Sequence, residues 1–227
     1  MGILKTITDE YFGETIRKED EINIDGLDVE IVSFTDNNKK YHGIGYKPKD
    51  TDNLKELLER MIEKRGNEGD FNDIDTSDIE DMTLLFKKYS TFNGDITGWD
   101  VSNVENMNNM FFKATSFNQP IGNWNVSKVK KMSFMFYDAT SFNKPIGDWD
   151  VSSVIDMDYM FCGAESFNQP IEKWDVTNVT DMSAMFFKAT SFNQDLSKWN
   201  LKGKKKIYIF YNCSIKNDYK PKIKSKM

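Results

Sequence analysis

The chain contains few of the residues from which most catalytic and metal sites are built. It has one histidine, His42, and two cysteines, Cys162 and Cys213, among 227 residues. A single histidine has no partner at a catalytic or metal-ligand spacing, and two distant cysteines make neither a disulfide framework nor a zinc motif. We therefore predict a protein without catalytic residues, metal site or cofactor.

Long apolar runs are also missing. No segment approaches the roughly 20 apolar residues that a membrane helix requires, so we predict no transmembrane segment. The first 20 residues, MGILKTITDEYFGETIRKED, contain no apolar run of signal-peptide length, which favours a cytoplasmic protein.

Charge is distributed unevenly along the chain, whose net charge is −6. Residues 1–90 carry 22 acidic and 13 basic residues, whereas residues 200–227 carry 1 and 9. Because most of the chain is acidic, its charge opposes nucleic-acid binding along that part of the chain. The C-terminal lysines are either a solvated tail or a contact for an anionic surface. They are Lys202, Lys204, Lys205, Lys206, Lys216, Lys220, Lys222, Lys224 and Lys226.

What the sequence does contain is a repeat of 25 residues. All five tryptophans follow this step, and so do phenylalanines and two sets of methionines: Trp99, Trp124, Trp149, Trp174, Trp199; Phe92, Phe117, Phe142, Phe167, Phe192; Met107, Met132, Met157, Met182; Met110, Met135, Met160, Met185. A fixed period of this length is typical of arrays whose units bury their apolar faces against each other. The period extends from about Phe71 to Cys213, with degenerate units at both ends.

The predicted fold class is therefore an α+β repeat solenoid over residues 67–213. In each coil, Ser152 or Ser153 and its equivalents cap a short helical turn. Phe167 to Ile171 and its equivalents then form short strands in a parallel ladder. Pro120, Pro145 and Pro170 lack ladder donors and keep these strands short. We expect the tryptophan column to dominate the stacking energy.

Residues 1–66 are predicted to form a small α+β cap. Alternating apolar residues indicate a β meander over about residues 21–47, including an Asp25-Gly26 turn. A helix over about residues 52–65 shows an apolar stripe of Leu54, Leu57, Leu58, Met61 and Ile62. We expect Thr51 or Asp52 to cap its start and Gly66 to end it. Residues 214–227 are predicted to be a disordered basic tail.

Two polar columns have both a ligand and a structural interpretation. The asparagines after the phenylalanines are better explained by bonds to the backbone of the next coil than by ligand binding. They are Asn93, Asn118, Asn143, Asn168 and Asn193. A second column offers one side chain with a metal-ligating oxygen per coil, which suits turn capping better than a row of calcium sites. It consists of Asp100, Asn125, Asp150, Asp175 and Asn200.

The repeated unit FNQPIGNWNVSKVKKMSFMFYDATS, with its W-[DN]-V-[ST]-x-V-x-x-M-x-x-M-F core, closely resembles the repeat of BspA-type leucine-rich repeat surface proteins. The resemblance covers about residues 71–213. It implies a leucine-rich-repeat-like solenoid that binds proteins or mediates adhesion, on bacterial surfaces or after secretion. The sequence departs from that family in showing no signal peptide, lipoprotein cysteine or wall anchor.

In a repeat protein the constant positions build the core and the variable positions face partners. Asn109, Phe134, Tyr159 and Ala184 share one variable position. Its first three members are the candidate partner-binding residues, because adjacent exposed aromatics are suited to anchor a protein. A second variable column is predicted to be core: Phe112, Tyr137, Cys162 and Phe187. Cys162 has no neighbouring base, which favours a buried structural thiol.

These features favour a non-enzymatic protein-binding module. Two alternatives remain open. One is an effector with an unrecognised activity in residues 1–66, although the acidic run from Asp9 to Glu21 is better explained as a solvated face. The other is an intracellular scaffold, inhibitor or decoy whose acidic surface mimics an anionic ligand.

Overall fold

The computed structural model describes residues 24–36 and 41–222. The regular elements in these ranges are β1 (Val29–Asp36), β2 (Tyr41–Pro48), α1 (Thr51–Arg65) and a 3₁₀ helix (Asn217–Tyr219). None of these described helices has the length and apolarity needed to cross a bilayer. The N-terminal acidic run and the last lysines lie outside the described residues: Asp9, Glu10, Glu14, Glu19, Asp20, Glu21, Lys224, Lys226.

Strands β1 and β2 form an antiparallel hairpin in which Val29 pairs with Pro48 and Asp36 with Tyr41. The predicted meander differs at its start. Ile24 lies in a turn rather than a strand, since the N–H of Leu27 donates to its carbonyl at 2.9 Å and Gly26 takes a positive φ of 78°. The Asp25-Gly26 turn therefore leads into β1 from an irregular segment.

Helix α1 buries all five residues of its predicted apolar stripe, with Leu54 and Leu58 at 0% exposure. Its N-cap is Asp50, one residue earlier than expected. The extended backbone of Asp50 lets its carboxylate accept the N–H groups of Asp52 and Asn53 at 3.0 and 2.9 Å. The Thr51 hydroxyl instead donates to the Asp81 carbonyl in the repeats.

The hairpin and α1 are attached to the first repeat by specific hydrogen bonds. Tyr46 of β2 forms a parallel bridge with Ile74, in which its N–H donates to the Asp73 carbonyl at 2.8 Å. Arg65, at the end of α1, donates two bonds of 2.7 Å to the Asp73 carboxylate. This bidentate geometry fixes the helix end on the repeats.

Consecutive repeats lie side by side and pair in parallel. The bridges connect equivalent residues in order: Asp81, Asn106, Lys131, Asp156, Asp181 and Lys205. From each bridge, alternate N–H groups donate to the next repeat. Those of Met107, Asn109 and Phe111 bond the carbonyls of the repeat that follows, each at 2.9 Å.

This ladder is not where the sequence predicts it. It runs through the Met-x-x-Met-Phe segments. In the predicted segment, Phe167 to Ile171 and its equivalents, a parallel bridge joins Asp70 and Asp95 at the start of the array. From the next repeat on, Pro120, Pro145 and Pro170 supply no N–H there. The predicted helical turns are also replaced. In the described repeats the segment after each tryptophan forms a turn closed by a side chain, as where Asp150 accepts the Ser152 N–H at 3.1 Å.

Phenylalanine rings, more than tryptophan rings, form the continuous stacks of the core. Phe86, Phe111, Phe136, Phe161, Phe186 and Phe210 stack with centroids 5.3–5.8 Å apart. The Phe92 column runs beside them, at 3.9–4.2 Å from the first. Tryptophans flank the stacks at 5.9–6.5 Å. One hydrophobic core extends from Tyr46 to Ile215.

The asparagine column joins repeats through side chains, which confirms its structural interpretation. The side-chain oxygen of Asn93 accepts the N–H of Asn118 at 2.9 Å, and Asn118 does the same for Asn143 at 3.0 Å. The series continues to Asn193, which accepts the N–H of Lys216 at 3.0 Å. The side-chain oxygens of these asparagines accept backbone N–H groups near the prolines, where backbone-to-backbone hydrogen bonds between repeats are interrupted.

The segment 214–222 packs on the last repeats, unlike the disordered tail expected from its composition. Ile215 is 4% exposed and joins the core. The Tyr219 carbonyl accepts the N–H of Leu196 at 2.8 Å. The buried isoleucine and this hydrogen bond hold the segment in place, although its lysines suggested a solvated terminus.

Candidate partner-binding face

The three candidate residues Asn109, Phe134 and Tyr159 occupy one position of successive repeats. Their N–H groups donate to the carbonyls of Ser133, Asp158 and Ser183 at 2.8–2.9 Å. Each has a positive φ, of 57°, 57° and 54°. The backbone therefore fixes the three side chains in one column.

The structure brings Phe134 and Tyr159 into direct contact. Their rings stack with centroids 4.6 Å apart and planes 5° from parallel, and both side chains are half-buried. Asn109 lies beside Phe134 in the preceding repeat, whereas Ala184 is buried in the following one. The exposed part of the column is therefore bounded at Ala184.

Tyr137 is a member of this surface that the sequence interpretation assigned to the core. It is half-buried, with its ring 5.7 Å from Phe134, 6.5 Å from Tyr159 and 4.9 Å from Phe112. The cause is a tight turn, in which the Tyr137 N–H donates to the Phe134 carbonyl at 3.2 Å. Such a turn places residues three apart side by side. We call Phe112, Phe134, Tyr137 and Tyr159 the aromatic face.

Lysines border one edge of the aromatic face. The Nζ atoms of Lys87 and Lys113 lie 5.8 and 5.5 Å from the centre of the Phe112 ring, within cation–π range. Burial raises the pKa of Asp138, and the charges of Lys113 and Lys188 oppose that rise. The edge thus combines cationic groups with one partly buried carboxyl.

A second carboxyl lies next to the column. Burial raises the pKa of Asp158 to about 6, with a further rise from the charge of Asp156 and a partial offset from the Ser133 hydroxyl. Asp158 directly precedes Tyr159 in the chain. The charge beside the aromatic face therefore changes between mildly acidic and neutral pH.

Cys162 is 5% exposed, and burial raises the pKa of its thiol to about 11. It is protonated at neutral pH, which fits the predicted structural thiol. Among residues 24–36 and 41–222, no three His, Cys, Asp or Glu side chains cluster as metal ligands would. The Asp100 column caps turns, since its members accept the N–H two residues on.

A cavity of about 220 Å³ lies elsewhere, between the segments that carry Trp174 and Trp199. Its lining mixes acidic and basic side chains, including Asp175 and Lys204. The Lys204 ammonium donates to the carbonyls of Thr177 and Val179 at 2.9 and 2.6 Å. No residue of the aromatic face contributes to this cavity.

Comparison with known proteins identifies a family. No curated protein and no solved structure matches the chain. Residues 53–157 and 135–222 match the family described as Mycoplasma protein of unknown function, DUF285. The two overlapping segments span most of the chain, from within α1 to the last residue that the structure describes. The chain therefore belongs to the DUF285 family.

Proposed function

We propose that the chain is a non-enzymatic protein-binding module that binds a protein partner through its aromatic face. The module is an α+β, leucine-rich-repeat-like solenoid with an N-terminal cap. The resemblance to BspA-type repeats supports a role in adhesion or interaction at a bacterial surface.

The observation that carries the proposal is the residue choice at Phe134 and Tyr159. A positive φ costs a residue with a large side chain on the order of 1 kcal/mol or more, while glycine and asparagine adopt it readily. Asn109 shows that asparagine fits this position of the repeat. Two stacked, half-buried aromatics at strained positions are thus not required by the backbone, and strained residues cluster at functional sites.

The chemistry of the surface suits a protein partner. Tyrosine and phenylalanine provide large contact areas, and aromatic anchors carry much of the energy of protein interfaces. The neighbouring Lys87 and Lys113 give the surface a cationic edge. A partner with apolar side chains and an acidic rim fits this arrangement.

Photo-crosslinking in the native cells tests the proposal. A photoreactive phenylalanine analogue replaces Tyr159 in one variant and Ile155 in the matched control. Ile155 is 44% exposed, is apolar and lies in the same repeat. We expect a discrete adduct from position 159 and none from position 155.

A competition experiment measures specificity. Unlabelled wild-type protein is expected to suppress the adduct, and the double variant Phe134→Asn/Tyr159→Asn is expected not to. Equal adducts from both positions, or equal competition by the double variant, would show that the aromatic face is not the binding surface.

A further inference from the structure

The last repeat ends in an open hydrogen-bonding edge. The preceding repeat donates the N–H groups of Met182, Ala184, Phe186 and Lys188 to the last repeat at 2.8–2.9 Å. The equivalent N–H groups of the last repeat donate to no acceptor in the described part of the chain. They belong to Lys206, Tyr208, Phe210 and Asn212. These N–H groups stand two residues apart, as the donors between the other repeats do, and unpaired backbone groups in such a row are a template for pairing with another chain.

The opposite end of the array is closed. Helix α1 packs its five apolar residues there, and Tyr46 of β2 bridges to Ile74. At the C-terminal end, segment 214–222 covers only one side, where the Tyr219 carbonyl accepts the Leu196 N–H at 2.8 Å. The open edge is therefore specific to the C-terminal end.

Apolar side chains surround the open edge without covering it. Ile207, Tyr208 and Tyr211 are 64%, 66% and 52% exposed, and they are among the most exposed large apolar residues that the structure describes. The Tyr208 and Tyr211 rings meet edge to face at 5.7 Å. Unpaired N–H groups beside exposed aromatics are features of surfaces that bind extended peptides.

The charge around the edge is strongly positive. Residues 200–222 include seven lysines and a single acidic residue, Asp218. Lys202, Lys205, Lys216 and Lys222 are all exposed. Because the rest of the chain is acidic, this end is its one basic region in sequence. Acidic side chains complement such a surface.

We propose that the open edge, formed by Lys206, Tyr208, Phe210 and Asn212, binds an extended acidic segment of a partner protein by strand addition. Alternate carbonyls of the segment accept the four N–H groups in the parallel sense used between repeats. Its acidic side chains face the lysines, and its apolar side chains contact Ile207, Tyr208 and Tyr211. This site is separate from the aromatic face.

A second copy of the chain is a poor occupant of this edge. Two such edges would present donors to donors, because the carbonyls of Lys205, Ile207, Ile209 and Tyr211 already accept bonds from the preceding repeat. Like charges would also face each other. The N-terminal end of another copy is covered by α1.

Fluorescence anisotropy with the full chain tests the proposal. The probe is a labelled, end-blocked peptide of alternating glutamate and valine, about eight residues long, the length of a typical strand. We expect saturable binding that weakens as salt is raised. The matched control peptide alternates lysine and valine, and we expect it not to bind.

Variants locate the binding. Tyr208→Asn/Tyr211→Ser changes two exposed residues, and we expect about ten-fold weaker binding, as for loss of an aromatic anchor. Leu84→Asn alters the same repeat position five repeats earlier, at a 37% exposed site outside the aromatic face, and is expected to leave the affinity unchanged. Circular dichroism checks that both variants fold.

Amide hydrogen exchange gives the direct readout of strand addition. We expect the glutamate–valine peptide to slow exchange at residues 206–212 and to leave the aromatic face unaffected. Absence of saturable binding, protection elsewhere, or an equal loss in Leu84→Asn would overturn the proposal. So would tighter binding of a single-stranded oligonucleotide with the same protection, or dimerisation through this edge.

Discussion

At the scale of single residues, short polar side chains hold the turns and the repeat contacts together. Asp150 and Asp175 each accept the N–H two residues on, at 3.1 and 2.9 Å. The hydroxyl groups of Ser152 and Thr177, together with these N–H bonds, lower the pKa of both carboxyls. Asn143 accepts from Asn168 in the next repeat at 3.0 Å. Buried or turn N–H groups that lack a carbonyl partner are satisfied this way.

Strain at Tyr208 leads to a stability prediction. Its φ is 56° and it is 66% exposed, so little packing offsets the unfavourable backbone conformation. We expect Tyr208→Asn to raise the free energy of unfolding by about 0.5–1 kcal/mol, because asparagine tolerates positive φ. Urea unfolding measures the change. A loss of stability would show that the Tyr208–Tyr211 contact outweighs the strain.

Asp158 makes stability depend on pH. Its folded-state pKa is raised from 3.8 to about 6, so the folded chain binds more protons and wild-type stability falls as pH rises between those values. We expect the free energy of unfolding of Asp158→Asn to equal that of the wild type below pH 4. At pH 7 the variant should be more stable by on the order of 1 kcal/mol, after discounting a two-unit shift for partial exposure.

Asp175 provides the control, because its contribution to stability depends on pH in the opposite direction from that of Asp158. Bonds to Thr177 lower the pKa of Asp175, so its contribution is present above the unfolded pKa and is lost as pH falls. We expect Asp175→Asn to be less stable than the wild type at neutral pH and to approach it in acid. Parallel pH curves for Asp158→Asn and the wild type would contradict the assignment.

At the scale of elements, each repeat is a closed unit whose aromatic rings touch the rings of its neighbours. Phe161 lies 5.5 Å from Phe136 and 5.7 Å from Phe186. The Trp149 indole donates to the Ile121 carbonyl in the preceding repeat at 3.1 Å. Stability is therefore shared between packing within a repeat and contacts across its two interfaces.

The position of a tryptophan in the array sets how much its loss costs. Trp149 stacks on Trp174 at 6.4 Å and makes the hydrogen bond to Ile121, whereas the Trp199 indole N–H is buried without a partner in the structure as described. We expect Trp149→Ala to be more destabilising than Trp199→Ala by about 1 kcal/mol, the size of one hydrogen bond. Denaturant midpoints in the reverse order would refute this. Trp149→Phe separates the bond from the packing.

At the scale of the whole molecule, one core joins the cap to every repeat, and the two ends differ. The apolar face of α1 continues the core that ends at Ile215. The N-terminal end is covered by α1, whereas the C-terminal end carries the basic open edge. The aromatic face lies on the middle repeats and the open edge on the last one, so the molecule has two distinct surfaces.

Because the core is continuous, damage to the cap is expected to destabilise the repeats. Leu58 is 0% exposed, and truncating a buried leucine typically costs about 2–5 kcal/mol. We expect Leu58→Ala to lower the unfolding midpoint measured by tryptophan fluorescence, which reports only on residues 99–199, together with that measured by circular dichroism. Leu84→Ala, at a 37% exposed site, is the control. Loss of helical signal before any tryptophan change would show that the cap unfolds alone.

The sequence by itself determined the period, the apolar stripe of α1 and the roles of the asparagine and aspartate columns. These follow from spacing and from the bonding habits of single side chains, which are local properties. The predicted solenoid class, the absence of enzymatic activity, and the effector and decoy alternatives remain predictions.

Tertiary structure alone decided where the ladder runs, that Tyr137 joins Phe134 and Tyr159, and that segment 214–222 packs on the array. Prolines exclude one ladder position, but only the geometry of stacking selects the Met-x-x-Met-Phe segment instead. A 25-residue step cannot show that positive φ values and turns bring residues three apart together. The open edge at Tyr208 is likewise visible only when the partners of every N–H group are known.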